Sequence, residues 1–288
     1  MQTFDRPALP TATAREHRLR LFQPTRRPRP LRDVEIATPW GRLIITGRLG
    51  QSHADVMDAI CYHAERRVDM NDGRIKLLVD PARVRRACRL GGEQLEKIAR
   101  ELREATIQIK EPQEIACIGG LVDHIDTALR ADGSPITRHN PLRGGERELW
   151  RVELGKALCK LIARDAWVGY DPAPIARLQH GISQAVARHV LSHKTAPAGG
   201  WRLDTLIAAA AGEVGGQALW DKRRELRADA GGLAAVGVLL DGERVRRLEQ
   251  TPGGMEQTPG GMEQTPGGSR YTFRCTSGAS SGAPACRP

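Results

Sequence analysis

Residues 201–245 read WRLDTLIAAAAGEVGGQALWDKRRELRADAGGLAAVGVLLDGERV, and the order of structure within them decides the fold. Trp201–Ala211 contains a helix that starts near Asp204, whose carboxylate can cap it. Gly212–Gly216 makes a turn, since glycine reaches the backbone angles that a sharp reversal needs. Gln217–Ala230 is the next helix, with Leu219 and Leu226 turned inward. Val236–Leu240 then reads as a strand, and Tyr271–Cys275 as its partner. Helix, glycine turn, helix and hairpin, in that order, describe a helix able to enter a groove with a β-hairpin wing beside it.

Between the two wing strands lie three near-identical heptapeptides, Leu248–Gly254, Met255–Gly261 and Met262–Gly268, of the form (L/M)-E-Q-T-P-G-G. Each holds Pro-Gly-Gly, which forbids a coiled coil despite the period of seven. The stretch reads as a flexible loop, an expansion inside the wing turn. Slippage of the 21-nucleotide DNA repeat is sufficient to explain it.

The second helix carries Lys222, Arg223, Arg224 and Arg227 against Asp221, Glu225 and Asp229. Arg223 and Arg227 are four apart and Arg224 and Arg227 three apart, so they share a face. Arginine bonds bidentately to guanine, and either basic residue binds phosphate. Arg244, Arg246 and Arg247 follow on the expected wing, and Arg270 precedes the returning strand. These residues are the expected DNA contacts of this half. A basic surface patch with no partner would carry the same charges.

Working outward, Leu149–Leu154 alternates like a strand, Lys156–Arg164 is a short helix, and Ile175–His193 is a long one with Ile175, Leu178, Ile182 and Val186 apolar. The first half repeats the theme. A strand in Trp40–Leu49 precedes a helix over Ser52–Arg67 with Ser52 as its cap. Ile75–Val79 is a strand, and Pro81–Arg89 a helix opened by proline. Gly91-Gly92 makes a turn, and Glu93–Ala105 is a second helix with Leu95, Ile98, Ala99 and Leu102 inward. Thr106–Lys110 and Ile115–Val122 read as a hairpin. The outward residues of Glu93–Ala105 include Gln94, Lys97, Arg100 and Arg103, the expected DNA contacts of this half, diluted by Glu101 and Glu104. A solvated amphipathic helix with internal ion pairs would look alike.

The chain therefore divides into a disordered basic arm (1–33), a first domain (34–129), a polar glycine- and proline-rich linker (130–148), a second domain (149–275) and a disordered tail (276–288). The fold class is α+β, mainly helical: two tandem winged-helix domains with β-hairpin wings.

Across 288 residues, Lys plus Arg number 44 and Asp plus Glu 34, a net charge of +10. That balance favours a polyanionic partner, nucleic acid or an anionic membrane surface. Aromatics are 4%, too few for a single-strand binder built on stacking platforms. No apolar run approaches the ~20 residues of a bilayer span, and the N-terminal stretch lacks the apolar core of a secretory signal. A cytoplasmic protein is expected, with no membrane partner. The six cysteines stand in no C-x-x-C pair and read as reduced, structural thiols. There is no G-x-x-x-x-G-K-[ST], no H-E-x-x-H and no His-x-His, and Tyr62, Tyr170 and Tyr271 lack the context of a nucleophile. His189 and His193 are four apart on a helix, a spacing that binds metal, yet no third ligand presents itself. The expectation is a protein with no catalysis, cofactor or metal.

Three segments carry a resemblance to a family: TPWGRLIITGRLGQSHADVMDAICYHAERR (38–67), ARLQHGISQAVARHVLSHKTAP (176–197) with WRLDTLIAAAAG (201–212), and ALWDKRRELRADAGGLAAVGVLLDGERV (218–245). Over about residues 34–275 the chain resembles the replication initiators of iteron-containing plasmids, of the TrfA type. The resemblance implies binding of origin direct repeats (iterons) as double-stranded DNA through both domains. It also implies opening of adjacent AT-rich DNA and recruitment of the host initiator, replicative helicase and sliding clamp. A monomer–dimer equilibrium is implied as well. Some such initiators carry a clamp-binding pentapeptide of the form Q-L-x-L-F. Arg18-Leu19-Arg20-Leu21-Phe22 is similar to it, with Leu19, Leu21 and Phe22 matching and Arg18 departing. A chance apolar pair in a basic tail gives the same string. Two other readings stand beside the initiator: a winged-helix transcriptional regulator that autoregulates its own operon, and an adaptor whose basic arm binds DNA without sequence preference.

Overall fold

Leu43 and Ile45 face Ile109 and Ile107 across two neighbouring strands, and all four side chains are buried. Such cross-strand apolar pairs anchor the sheet of the first half. The computed structural model describes residues 11–13, 17–38, 41–111, 114–140, 144–163, 167–193 and 195–248. In chain order the elements begin with β1 (Ala12–Thr13), β2 (Leu31–Thr38), β3 (Gly41–Gly47), α1 (Gln51–Tyr62), β4 (Ala64–Asp69), β5 (Ile75–Val79), α2 (Pro81–Cys88) and α3 (Gly92–Glu104). There follow β6 (Thr106–Glu111), β7 (Glu114–Gly119), β8 (Val122–Thr127), β9 (Thr137–His139), β10 (Glu146–Glu148), β11 (Trp150–Leu154) and α4 (Lys156–Ala163). Last come β12 (Trp167–Val168), α5 (Pro172–Ala176), α6 (Gly181–Leu191), β13 (Trp201–Arg202), α7 (Leu203–Ala211), α8 (Gly216–Ala228), α9 (Ala230–Ala235), β14 (Val238–Asp241) and β15 (Arg244–Arg247).

The sheets are small and antiparallel. Their orders are β2-β3-β6-β7, β4-β5-β11-β8 and β13-β15-β14, with two-stranded pairs β9–β10 and β1–β12. Helix makes up 40% and strand 31%, so the class is α+β with more strand than a mainly helical fold. No helix among the described residues is long and apolar enough to cross a membrane.

Several expected boundaries move. The helix expected over Ser52–Arg67 stops at Tyr62, and Ala64–Asp69 pairs with β5 instead. Asn71-Asp72-Gly73 closes that hairpin, with Met70 N–H donating to Arg74 O at 2.8 Å. The helix expected over Ile175–His193 is two, α5 and α6. Asp229 separates them by accepting from Gln179 N (3.1 Å) and His180 N (2.9 Å), which satisfies donors at the start of α6. The linker expected at 130–148 lies inside the first half. β11 pairs with both β5 and β8, and Leu158, Leu161 and Ile162 of α4 join the first core. The second core runs from Ile175 to Val245. Both cores fall within one compact unit, Met1–Gln250.

The basic arm is corrected most. His17–Pro30 runs as an ordered strap, with Leu19, Leu21 and Phe22 at 6%, 0% and 5% exposure in the first core. Burying each such side chain stabilises by about 1.5–3 kcal/mol, which offsets part of the entropy lost on ordering the segment, and the strap's hydrogen bonds add to it. The arginines serve backbone carbonyls. Arg18 donates to Ser192 O (2.5 Å) and Arg26 to Ala176 O (2.5 Å). Thr25 O accepts from Gln51 N at the start of α1 (2.9 Å). At the start of α6 the strap passes so close that a Cβ on Gly181 would stand 2.5 Å from Thr25 Cα. Gly181→Ala is therefore expected to destabilise by about 1–3 kcal/mol in urea unfolding. An unchanged midpoint would show that the strap does not hold that path.

A buried polar cluster ties α1 to α6. Gln51, Asp55 and Asp58 stand on one face of α1, and Arg188 of α6 reaches all three. Its Nη1 donates to Gln51 Oε1 (2.7 Å), Nη2 to Asp55 Oδ1 (2.6 Å) and Nε to Asp58 Oδ2 (2.8 Å). Gln184 Nε2 adds Asp55 Oδ2 at 3.3 Å. Tyr170 OH donates to the same Asp58 oxygen at 2.8 Å and lies 2.6 Å from His17 Nε2. Burial pulls the Arg188 pKa down, but Asp58 and Asp55 outweigh it and hold the guanidinium charged. Burial, reinforced by Arg188, lowers His17 well below its ordinary value, so the ring is neutral.

Candidate nucleic-acid interface

In the second half, α7 and α8 are joined by Gly212–Gly215, with Gly212 at φ 85° ending α7. Leu203, Leu206 and Ile207 of α7 and Leu226 of α8 are wholly buried and pack in the second core. Asp204 lies in the first turn of α7 and not at its cap, which is Arg202. Its carboxylate receives Arg223 of α8 twice, Nε to Oδ1 at 2.7 Å and Nη2 to Oδ2 at 2.5 Å. The hydrogen bond from Arg223 holds Asp204 below the usual carboxylate range. Arg223 thus links α8 to α7 and is half-buried. Lys222, four residues before buried Leu226, sits on the inner flank and donates to Glu225 Oε2 at 2.8 Å.

The outward face of α8 is carried by Gln217, Trp220, Arg224 and Arg227, all exposed. Trp220 is 51% exposed, and the Arg224 guanidinium lies over its ring, 4.9 Å from the centroid. Arg224 also stands 3.4 Å from Asp221, and Arg227 donates to Glu243 Oε1 at 2.8 Å. Trp220 and Gln217 were not among the expected contacts. Trp220, Arg224 and Arg227 follow Gln217 by three, seven and ten residues, and that helical spacing was the signal that places them on one face.

The hairpin beside α8 is β14–β15, closed at Gly242-Glu243, with Leu240 opposite Val245. It closes before the heptapeptides and not around them. Asp241-Gly242 is a short-hairpin signal, which supplies the physical reason. Arg244 and Arg246 are exposed, with Arg246 3.2 Å from Asp241 and Arg244 reaching Gly199 O at 3.4 Å. Arg247 is half-buried and donates to His193 O, so it anchors the strand. Arg270, the strand Tyr271–Cys275, the repeats beyond Leu248 and the tail lie outside the described residues.

In the first half, α2 and α3 follow one another across a short turn, and each packs on α1. Asp80 caps α2 by accepting from Ala82 N at 2.9 Å, and Leu95, Ile98 and Leu102 bury one face of α3. Gln94, Lys97, Arg100 and Arg103 are all exposed, and none pairs with another side chain among the described residues. Glu93 and Glu104 share the outward face with Lys97 and Arg100, so its charge is mixed. Arg85, Arg86 and Arg89 on α2 and its C-cap are exposed too and were not among the expected contacts.

Leu19, Leu21 and Phe22, expected as a docking motif for a sliding clamp, are core residues. In this conformation they offer a partner almost no surface. The four described cysteines, Cys61, Cys88, Cys117 and Cys159, are all buried. His189 and His193 bring their Nε2 atoms within 3.3 Å, and burial, helped by His193, lowers His189 to about 4. No group of three or more His, Cys, Asp or Glu gathers to hold a metal among the described residues. Comparison with protein families, curated proteins and solved structures finds no match to this chain.

Proposed function

We propose that the protein reads double-stranded DNA through two winged-helix domains and acts as a plasmid replication initiator of the iteron-binding, TrfA-like kind. The observation that carries the reading is the second half's order, helix, short strand, helix, glycine turn, helix, one short further helix (α9), hairpin, with Gln217, Trp220, Arg224 and Arg227 on the open face of α8. A single helix of that width fits a major groove, and an adjacent hairpin reaches the flanking backbone. A second helix–turn–helix pair in the first half and the net charge of +10 support the same reading. The initiator's further roles, opening of origin DNA and recruitment of host initiator, helicase and clamp, belong to the proposal.

A gel-shift titration tests it, with DNA flanking the gene, with and without its direct repeats, at two salt concentrations. Laddered, repeat-dependent complexes that survive higher salt are expected. One-step binding at a single promoter palindrome would favour the autoregulating repressor. Binding indifferent to sequence would leave the nonspecific adaptor.

A further inference from the structure

A cleft of about 770 Å³ lies beside the start of α3. Arg85 and Arg86 of α2, Arg89 at its C-cap and Arg147 of β10 line it, and Glu96 is the one acid on its wall among the described residues. Arg85, Arg86 and Arg89 are exposed and make no ion pair there. Arg147 donates Nη2 to Asp80 at 2.7 Å, but its Nε–H is shut off from solvent and meets no acceptor among the described residues.

The placement of Arg85 is informative. A Cβ built on Gly92, the first residue of α3, would stand 3.9 Å from Arg85 Nη1. The N-cap of α3 is Gly91, which offers no side chain to the free N–H groups. A cation at the positive end of an uncapped thirteen-residue helix is unfavourable by itself. A multivalent anion placed there relieves both the helix end and the crowded guanidinium groups. Leu90, Leu95 and Trp150 give the wall an apolar stretch, with Asn140 a further polar group on it. Duplex phosphates lie on a convex rod and need no such wall, whereas a planar base does. The volume suits one small ligand.

We propose that this cleft binds a nucleoside polyphosphate, its phosphates on Arg85, Arg86 and Arg89 and its base against the wall at Trp150. The site is independent of the DNA reading.

Isothermal titration of the full chain tests it, with ATP, tripolyphosphate and adenosine as probes in buffer containing EDTA. ATP is expected to bind one to one, and tripolyphosphate about tenfold more weakly. Arg85→Ala/Arg86→Ala should lower ATP affinity by about a hundredfold, near tenfold for each arginine, with the thermal midpoint unchanged. Absence of ATP binding, or equal affinity in the double variant, would overturn the site. Tripolyphosphate binding as well as ATP would remove the base from it. A parallel, equal loss of affinity for a random-sequence duplex in that variant would make the cleft a DNA-backbone contact and overturn the proposal.

Discussion

Arg188→Met is expected to destabilise the protein by about 3–5 kcal/mol, the range for removing one partner of a buried ion group. Methionine keeps most of the volume, so the loss is electrostatic. Asp55, Asp58 and Gln51 are left inside the protein without their common donor. Burial already raises both carboxyls, and Arg188 is the chief force that opposes it. Without Arg188 their folded pKa values rise further above the unfolded value. A carboxyl with a raised folded pKa gives a folded state that binds protons more readily than the unfolded one. Stability of the variant should therefore recover as pH falls through the raised values, and the gap to the parent should narrow. His189 works in the opposite direction. Its ring, lowered to about 4, favours unfolding as pH drops below the unfolded value, but it is common to both proteins and cancels in the difference. Urea unfolding at about pH 8 and about pH 5 reads this. Asp55→Asn/Asp58→Asn/Arg188→Met should regain much of the loss, because no charge is stranded. A single-variant loss under about 1 kcal/mol at both pH values would mean that α1 and α6 are not joined through these groups.

The contrast between this cluster and the helices shows what was legible in the sequence. α2 and α3 could be read because their signals are local. Asp80-Pro81 starts one, and Leu95, Ile98 and Leu102 give the other a single apolar face. The flank positions of Lys222 and Arg223 were equally local, four and three residues before Leu226, but counting charge alone placed them outward. Asn71-Asp72-Gly73 and Asp241-Gly242 were readable turn signals that outweigh, respectively, a helical run and the pull of the repeats. The strap was different. A segment rich in arginine and proline reads as solvated, and its burial depends on surfaces made by α1 and α6, the latter about 160 residues downstream in the chain. Likewise nothing local pairs Arg188 with Asp55 across 133 residues. Polar side chains at apolar-looking helix positions gain meaning only when the partner helix is in place.

Arg224→Ala is expected to weaken binding to the preferred duplex by about 1–3 kcal/mol, roughly five- to 150-fold, while random duplex loses far less. The argument starts from exposure. Arg224 is the most open of the three arginines of α8, its side chain 65% exposed against 54% for Arg227 and 30% for Arg223. Trp220 holds its guanidinium in one orientation, a contact of about 0.5–1 kcal/mol at an exposed site. On the proposed reading, Trp220→Ala should therefore act largely through Arg224, and the double variant should lose clearly less than the two single losses summed. On the same proposed reading, Arg227, bound to Glu243 of the hairpin turn, contacts phosphate. Arg227→Ala should weaken all duplexes alike and lower the salt slope by about one. Arg223→Ala should act by loosening α8 from α7, so specific and random binding fall together with thermal stability. Titrations on preferred and random duplexes at two salt concentrations separate these cases. An equal loss on both duplexes for Arg224→Ala would make it a backbone contact. Unchanged binding in Trp220→Ala, Arg224→Ala and Arg227→Ala together would mean that α8 does not face DNA, and the reading direction of the second half would have to be reassigned.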